Sequence, residues 1–148
     1  NGEDVEILWQ CGRWYKSDID DFMSGKNLPN IRYTDFIARM DLAYAMADVM
    51  ISRSGASSIS EICAARKAAI LVPSPNVAED HQTHNALALV NRNAGIIVRD
   101  SEAPRTLLPI AMELVHDAER KERIEKNVAP LARLDAAMAI VEEIYKLV

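Results

Sequence analysis

Cysteine is scarce in this sequence, with Cys11 and Cys63 the only two in 148 residues. Two thiols are too few for a disulfide framework. Both stand in apolar contexts, so buried free thiols in a reducing compartment such as the cytosol are expected. A basic block is missing as well: 17 Lys and Arg against 22 Asp and Glu give a net charge of −5. Nucleic acid is therefore not expected as a partner, because phosphate-backbone binding leans on clustered cations. No apolar run approaches the roughly 20 residues that span a bilayer, and no secretory h-region precedes the first strand. Absent too are Gly-x-Ser-x-Gly, Gly-x-x-x-x-Gly-Lys-Ser/Thr and Gly-x-Gly-x-x-Gly, which removes the usual signatures of a serine hydrolase, a P-loop and a dinucleotide fold. No nucleophile with a partnered base stands out.

What is present is an alternation of strand and helix patterns. Val5–Trp9, Ile31–Tyr33, Val49–Ser52, Ala68–Val72 and Ile96–Val98 have strand character. Helical patterns fall at Tyr15–Met23, Asp35–Ala47 (with Phe36, Met40, Tyr44 and Ala47 at helical spacing as an apolar stripe), Ser57–Arg66, Asp80–Asn93, Arg105–Val115, Ala118–Asn127 and Ala136–Leu147. Residues 68–72 are apolar at every position, as expected of a central parallel strand covered on both faces. This order predicts a doubly wound α/β domain with a parallel sheet and right-handed crossovers, in which ligands sit beyond the carboxyl ends of the strands. At 148 residues, one domain with its own core is expected. The opening Asn1-Gly2-Glu3-Asp4 lacks a methionine and enters an apolar run almost at once, so the chain is expected to be a piece of something longer.

Residues 51–61, Ile-Ser-Arg-Ser-Gly-Ala-Ser-Ser-Ile-Ser-Glu, carry the most chemistry. They read as a strand end, a tight loop and a helix start. Such a site offers an anion free backbone N–H groups and the positive end of a helix dipole. Arg53 adds a fixed charge, and Glu61, one turn into the helix, can accept two hydroxyl hydrogen bonds. Phosphate and diol together suit a nucleotide or nucleotide sugar. A reading without ligand stays open: Ser58 and Glu61 have capping-box spacing, and Arg53 can pair with a surface carboxylate.

A second cluster follows the central strand. Pro73 and Pro75 stiffen a loop, Glu79 or Asp80 is placed to cap the next helix, and His81, Gln82 and Asn85 gather near its start. Amides and imidazoles there suit sugar hydroxyls, though polar residues also dress solvated first turns. Asp80, His81 and His84 are possible metal ligands, but His116 is remote and no thiol pair is near, so no metal is expected.

These pieces together resemble the C-terminal half of the MurG family, the bacterial N-acetylglucosaminyltransferases that make lipid II from lipid I. The resemblance runs through Thr34-Asp35-Phe36-Ile37, Ala43 to Val49, Ser52-Arg53-Ser54-Gly55-Ala56, Ser60-Glu61-Ile62, Ala69 to Pro73 and His81 to Leu87. It implies the donor-binding domain of a GT-B glycosyltransferase, an enzyme of two Rossmann-like domains facing across a cleft. It also implies that the backbone at Phe36 and Ile37 recognises uracil, and that Arg53 and the N–H groups of Ser54, Gly55, Ala56, Ser57 and Ser58 face the uracil and diphosphate. Glu61 would hold the ribose, while Gln82 and Asn85 would bind N-acetylglucosamine together with His81, which stands where some members carry another glutamine. In this family a glycine-rich loop after the domain's first strand helps cradle the diphosphate. Neither that strand and loop nor the acceptor domain with the general base is expected in this chain. The fragment alone is therefore expected to be inactive and to make no membrane contact. UDP-N-acetylglucosamine enters as a substrate and no cofactor is implied. The full protein is expected to be peripheral on the cytoplasmic face of the bacterial membrane.

Two other functions remain open at this point: a stand-alone UDP-sugar subunit completed by a separate acceptor subunit, and part of a UDP-N-acetylglucosamine epimerase. The charged stretches Glu119–Arg123 and Glu142–Glu143 read as solvated helix faces. Ile140, Ile144, Tyr145 and Leu147 are candidates for an apolar face left exposed on the last helix.

Overall fold

The computed structural model describes residues 4–76 and 80–147. The expectations on Asn1–Glu3 and on Glu79 as a helix cap lie outside the described residues. Two compact units divide the chain, Asn1–Ala43 and Tyr44–Val148.

The first unit contains β1 (Ile7–Gln10), a 3-10 turn at Arg13–Tyr15, α1 (Lys16–Met23) and β2 (Ile31–Thr34). β1 and β2 pair in parallel, with Ile7 opposite Ile31 and Gln10 opposite Thr34. The chain leaves β1 through Gly12 at φ +80°, a left-handed conformation that favours glycine. Cys11 is half-buried rather than buried, and its thiol donates to the Thr34 carbonyl at 3.2 Å.

The helix expected from Asp35 starts five residues later, as α2 (Met40–Met46). Side chains satisfy the intervening backbone outside any helix. The Thr34 hydroxyl donates to the Phe36 carbonyl at 3.2 Å, and the Ile37 N–H donates to Gln10 Oε1 at 2.8 Å. Phe36 therefore does not belong to the helical stripe with Met40 and Tyr44.

The second unit is built around β3 (Met50–Ser52), β4 (Ala69–Leu71) and β5 (Ile96–Ile97), all parallel, with β4 in the centre. The strands are joined by α3 (Ala56–Ala65) and α4 (His81–Val90), and followed by α5 (Ala103–His116), α6 (Ala118–Val128) and α7 (Ala136–Tyr145). Side-chain alternation along the central strand explains its uniformly apolar sequence. Ala69 and Leu71 pack with Ile62 and Cys63 of α3, Ala86 and Leu89 of α4, and Val128 of α6. Ala68, Ile70 and Val72 point the other way, toward Val98, Ala111 and Leu114 of α5, and Ile124 of α6. Helices thus cover both faces, the doubly wound arrangement expected from the sequence. Each fully buried Ile or Leu contributes about 1.5–3 kcal/mol through apolar burial.

The α3 helix ends on Arg66 in the left-handed conformation (φ 55°), where the Lys67 N–H returns to the Ile62 carbonyl at 3.3 Å. Cys63 is a buried free thiol, as expected. No described helix is long and apolar enough to cross a membrane.

Candidate functional site

Three strand ends of the second unit deliver polar groups to one place. β3 runs out into Arg53-Ser54-Gly55, β4 into Val72-Pro73-Ser74, and β5 into Val98-Arg99-Asp100. Arg53 Nη1 donates to the carbonyls of Val72 (3.2 Å) and Pro73 (3.3 Å) and forms an ion pair with Asp100 Oδ1. Among the described residues all three bonds use one guanidinium nitrogen, so Nη2 and Nε keep their N–H donors. The surface carboxylate that the sequence left as an alternative partner for Arg53 is Asp100. Its position at a strand's carboxyl end was the available signal.

Ser54 is the pivot of the loop and is completely buried. Its hydroxyl donates to the Gln82 carbonyl at 2.7 Å, and its own carbonyl accepts from Asn85 Nδ2 at 3.1 Å. Gln82 Oε1 in turn accepts from the Ser74 N–H at 2.9 Å. The first turn of α4 therefore clamps the loops after β3 and β4 into one body. Gln82 and Asn85, expected to meet sugar hydroxyls, each spend half of their amide on this clamp. Among the described residues, Gln82 retains its Nε2 donor and Asn85 its Oδ1 acceptor. A hydroxyl both donates and accepts, so this leftover pair suits one.

The clamp points the start of α3 outward. Gly55 is its N-cap residue with no side-chain cap, and intrahelical bonding begins with the Ile59 N–H to the Gly55 carbonyl at 3.0 Å. Among the described residues the N–H groups of Ala56, Ser57 and Ser58 are left without a protein acceptor, the usual deficit of a helix start. A Cβ on Gly55 would meet nothing within 4 Å, and its φ of −63° suits any residue. Neither packing nor backbone demands glycine there, and its effect is open space before those N–H groups.

The Ser58–Glu61 capping box does not form. With the N-cap at Gly55, Ser58 is already the third helical residue and Glu61 lies beyond the first turn. Glu61 instead accepts a 2.9 Å hydrogen bond from the Tyr44 hydroxyl on Oε2, and its side chain is exposed. Tyr44 had been assigned to an apolar stripe, which hid its hydroxyl's role. Burial, and then the hydrogen bond to Glu61, push the phenol well above its ordinary pKa, so it stays a donor.

His81 is exposed at the first position of α4. Asp80 occupies the N-cap position, but its carboxylate takes the Thr83 hydroxyl at 2.6 Å rather than a backbone N–H. Among the described residues no group of three or more His, Cys, Asp or Glu is placed to hold a metal.

Phe36 and Ile37 belong to the first unit, where Phe36 is 61% exposed and the Ile37 N–H is held by Gln10. Phe36 lines an open groove of about 400 Å³ together with Gln10, Gly12, Arg13, Trp14 and Asp35.

Parallel strands covered on both faces, with hydrogen-bonding groups gathered at their carboxyl ends, define the C-terminal domain of a GT-B glycosyltransferase. Residues 1–142 match the glycosyltransferase family 28 C-terminal domain, and the chain belongs to that family. It is 48% identical over 145 residues to the UDP-N-acetylglucosamine--N-acetylmuramyl-(pentapeptide) pyrophosphoryl-undecaprenol N-acetylglucosamine transferase of Parabacteroides distasonis, covering 98% of this chain and 39% of that protein. The protein of the same name from Bacteroides fragilis is 50% identical over 145 residues, covering 97% and 38%. The crystal structure of Acinetobacter baumannii MurG superposes with a TM-score of 0.82 at 28% identity, over 95% of this chain and 43% of that one. A glycotransferase of kitacinnamycin shares the fold, with a TM-score of 0.66 at 19% identity, over 95% and 35%. The chain spans about two fifths of the length of the curated relatives it matches.

Proposed function

We propose that this chain binds UDP-N-acetylglucosamine and is the donor half of an inverting enzyme that transfers N-acetylglucosamine to lipid I, forming lipid II in peptidoglycan synthesis. The observation that carries this reading is the cradle around buried Ser54: an uncapped helix start, an open Gly55 and the spare donors of Arg53. Those groups suit a diphosphate. Glu61, steadied by Tyr44, suits the ribose diol, and the Gln82 Nε2 and Asn85 Oδ1 suit sugar hydroxyls. His81, exposed beside them, is an additional sugar contact in this reading. The Phe36–Ile37 segment takes the uracil.

Mechanistically, the chain's own residues hold the donor and offset charge as the diphosphate departs. Backbone N–H groups and a guanidinium fixed in advance do this without reorganising during the reaction, so no cofactor is called for. The base that activates the acceptor, and the surface that meets its lipid, are assigned to the remainder of the protein. That assignment makes the whole protein peripheral on the cytoplasmic face of the membrane and this piece inactive by itself. Relatives named as transferases, and a family of glycosyltransferases, favour group transfer over epimerisation.

The test is thermal unfolding of this chain with UDP-N-acetylglucosamine, UDP-glucose or UDP. The reading expects the largest rise in Tm with the N-acetylglucosamine donor, since a ligand that binds only the folded state stabilises it by mass action. Equal response to the two sugars would contradict the sugar assignment, and no response to any would contradict the donor site.

A further inference from the structure

Arg53 meets three acceptors with a single nitrogen. Nη1 carries two hydrogens, yet it faces the Val72 carbonyl at 3.2 Å, the Pro73 carbonyl at 3.3 Å and Asp100 Oδ1. The two carbonyl contacts are long, as expected where neighbouring acceptors share one hydrogen. The other hydrogen then belongs to Asp100, and a carboxylate is the strongest acceptor of the three. Two bonds in different directions fix the nitrogen. A guanidinium is planar and rigid, so they fix the whole group. The edge formed by Nε and Nη2 meets no acceptor among the described residues, and its paired N–H groups are the fork that fits an oxyanion. Asp100 itself stands just past β5, 47 residues from Arg53. Anchoring alone does not require an acid there, because a neutral amide oxygen accepts the same hydrogen. The charge of Asp100 therefore has a consequence of its own.

We infer that Asp100 is a positioning residue with two effects: it aims the Nε–Nη2 edge of Arg53 at the diphosphate, and its charge selects against the more anionic product of transfer. The inference rests on the donor reading above and deepens it. In UDP-N-acetylglucosamine both phosphates are diesters and carry one charge each. In the UDP left after transfer the terminal phosphate is a monoester with a second pKa of about 6, so near neutrality it holds close to one charge more. A carboxylate bonded to the same guanidinium repels that extra charge and offsets part of the arginine's attraction. The donor, with less charge, loses less. Asp100 thus keeps Arg53 ready for the incoming donor while easing release of UDP, a step that limits turnover in many enzymes.

Two substitutions separate the effects. Asp100→Asn keeps an oxygen for Nη1 and loses the charge, whereas Asp100→Ala loses both. The pair is partly exposed, with side chains at 54% and 36%, so both variants keep the fold. The experiment is calorimetric titration of the 148-residue chain with UDP and with UDP-N-acetylglucosamine, at low and high salt. Asp100→Asn should shift the ratio of the two affinities about two- to fourfold toward UDP at low salt, and less at high salt, where the charge is screened. Asp100→Ala should bind both ligands about three- to tenfold more weakly than Asp100→Asn, the worth of the lost anchoring bond. A lost fold would weaken both ligands alike and leave their ratio unmoved. An unchanged ratio in Asp100→Asn, or equal binding by Asp100→Ala and Asp100→Asn, would overturn the inference and leave the donor reading standing. Failure of the wild-type chain to bind either ligand would overturn both.

Discussion

The Tyr44 hydroxyl donates a 2.9 Å hydrogen bond to Glu61 Oε2, joining two residues 17 apart in the chain. One lone-pair face of the carboxylate is thereby occupied, leaving Oε1 and the rest of Oε2 to accept from a diol. The tyrosine holds the carboxylate in position and does not itself contact the ligand in this account. Tyr44→Phe should therefore weaken UDP binding about two- to tenfold, the usual worth of a hydrogen bond to a charged group at a partly exposed position. It should leave binding of 2′,3′-dideoxy-UDP unchanged. Calorimetry with the two ligands checks this, and an equal loss for both would show that Tyr44 acts through the fold instead.

Arg53 divides its guanidinium between protein and solvent, with Nη1 on two carbonyls and Asp100. A lysine has one ammonium and cannot serve both sides. Arg53→Lys should lose about five- to twentyfold in UDP affinity, consistent with one or two charge-assisted hydrogen bonds, while keeping a near-wild-type salt dependence. Asp100→Asn should change stability by less than about 1 kcal/mol, because the pair is partly exposed and screened. Titration at several salt concentrations and urea unfolding read the two effects.

Ser54 gives a test of the clamp. Ser54→Ala removes the hydroxyl bond to the Gln82 carbonyl and should cost about 1 kcal/mol. Ser54→Val should cost more, about 1–3 kcal/mol, because the site is fully buried and has no room for extra methyls. Urea unfolding measures both, and an indifferent Ser54→Val would mean that the loop is less tightly seated than described.

Alkaline pH should erode stability through two groups. Burial pushes the Cys63 thiol up, and burial with the Glu61 carboxylate pushes the Tyr44 phenol up. Both hold their protons more tightly folded than unfolded. Their stabilisation is thus complete below the unfolded pKa values. It declines as pH rises past about 8.5 for the thiol and about 10 for the phenol. Unfolding free energies measured from pH 7 to 11 should fall less steeply in Cys63→Ala and Tyr44→Phe than in wild type. Parallel slopes in all three would contradict the assignment.

Features with a local signature were legible from the residues. The five-residue apolar run at 68–72 announced a strand buried on both faces, and each of its side chains is buried. Ser-Arg-Ser-Gly-Ala announced a strand end and helix start, found within one residue of the expected place. Tertiary hydrogen bonds left no such trace. Arg53 and Asp100 are 47 residues apart, and Gln10 and Ile37 are 27 apart; no spacing rule links them. Those same contacts explain the misplaced start of α2, because Gln10 and Thr34 draw the backbone at 36–37 out of the helical pattern. Tyr44 was misread for a related reason: apolar periodicity counts its ring and ignores its hydroxyl. The exposed Ile140, Ile144, Tyr145 and Leu147 on and just after α7 agree with the pattern expected there.

The central claim is that Glu61 and the start of α3 hold a uridine diphosphate sugar. Its most direct test is calorimetric titration of this chain with UDP-N-acetylglucosamine, for wild type and Glu61→Ala. The account predicts measurable binding by wild type and a loss of at least about tenfold in the variant, since a charged acceptor of two hydroxyls disappears. Equal affinity in the two proteins would contradict it.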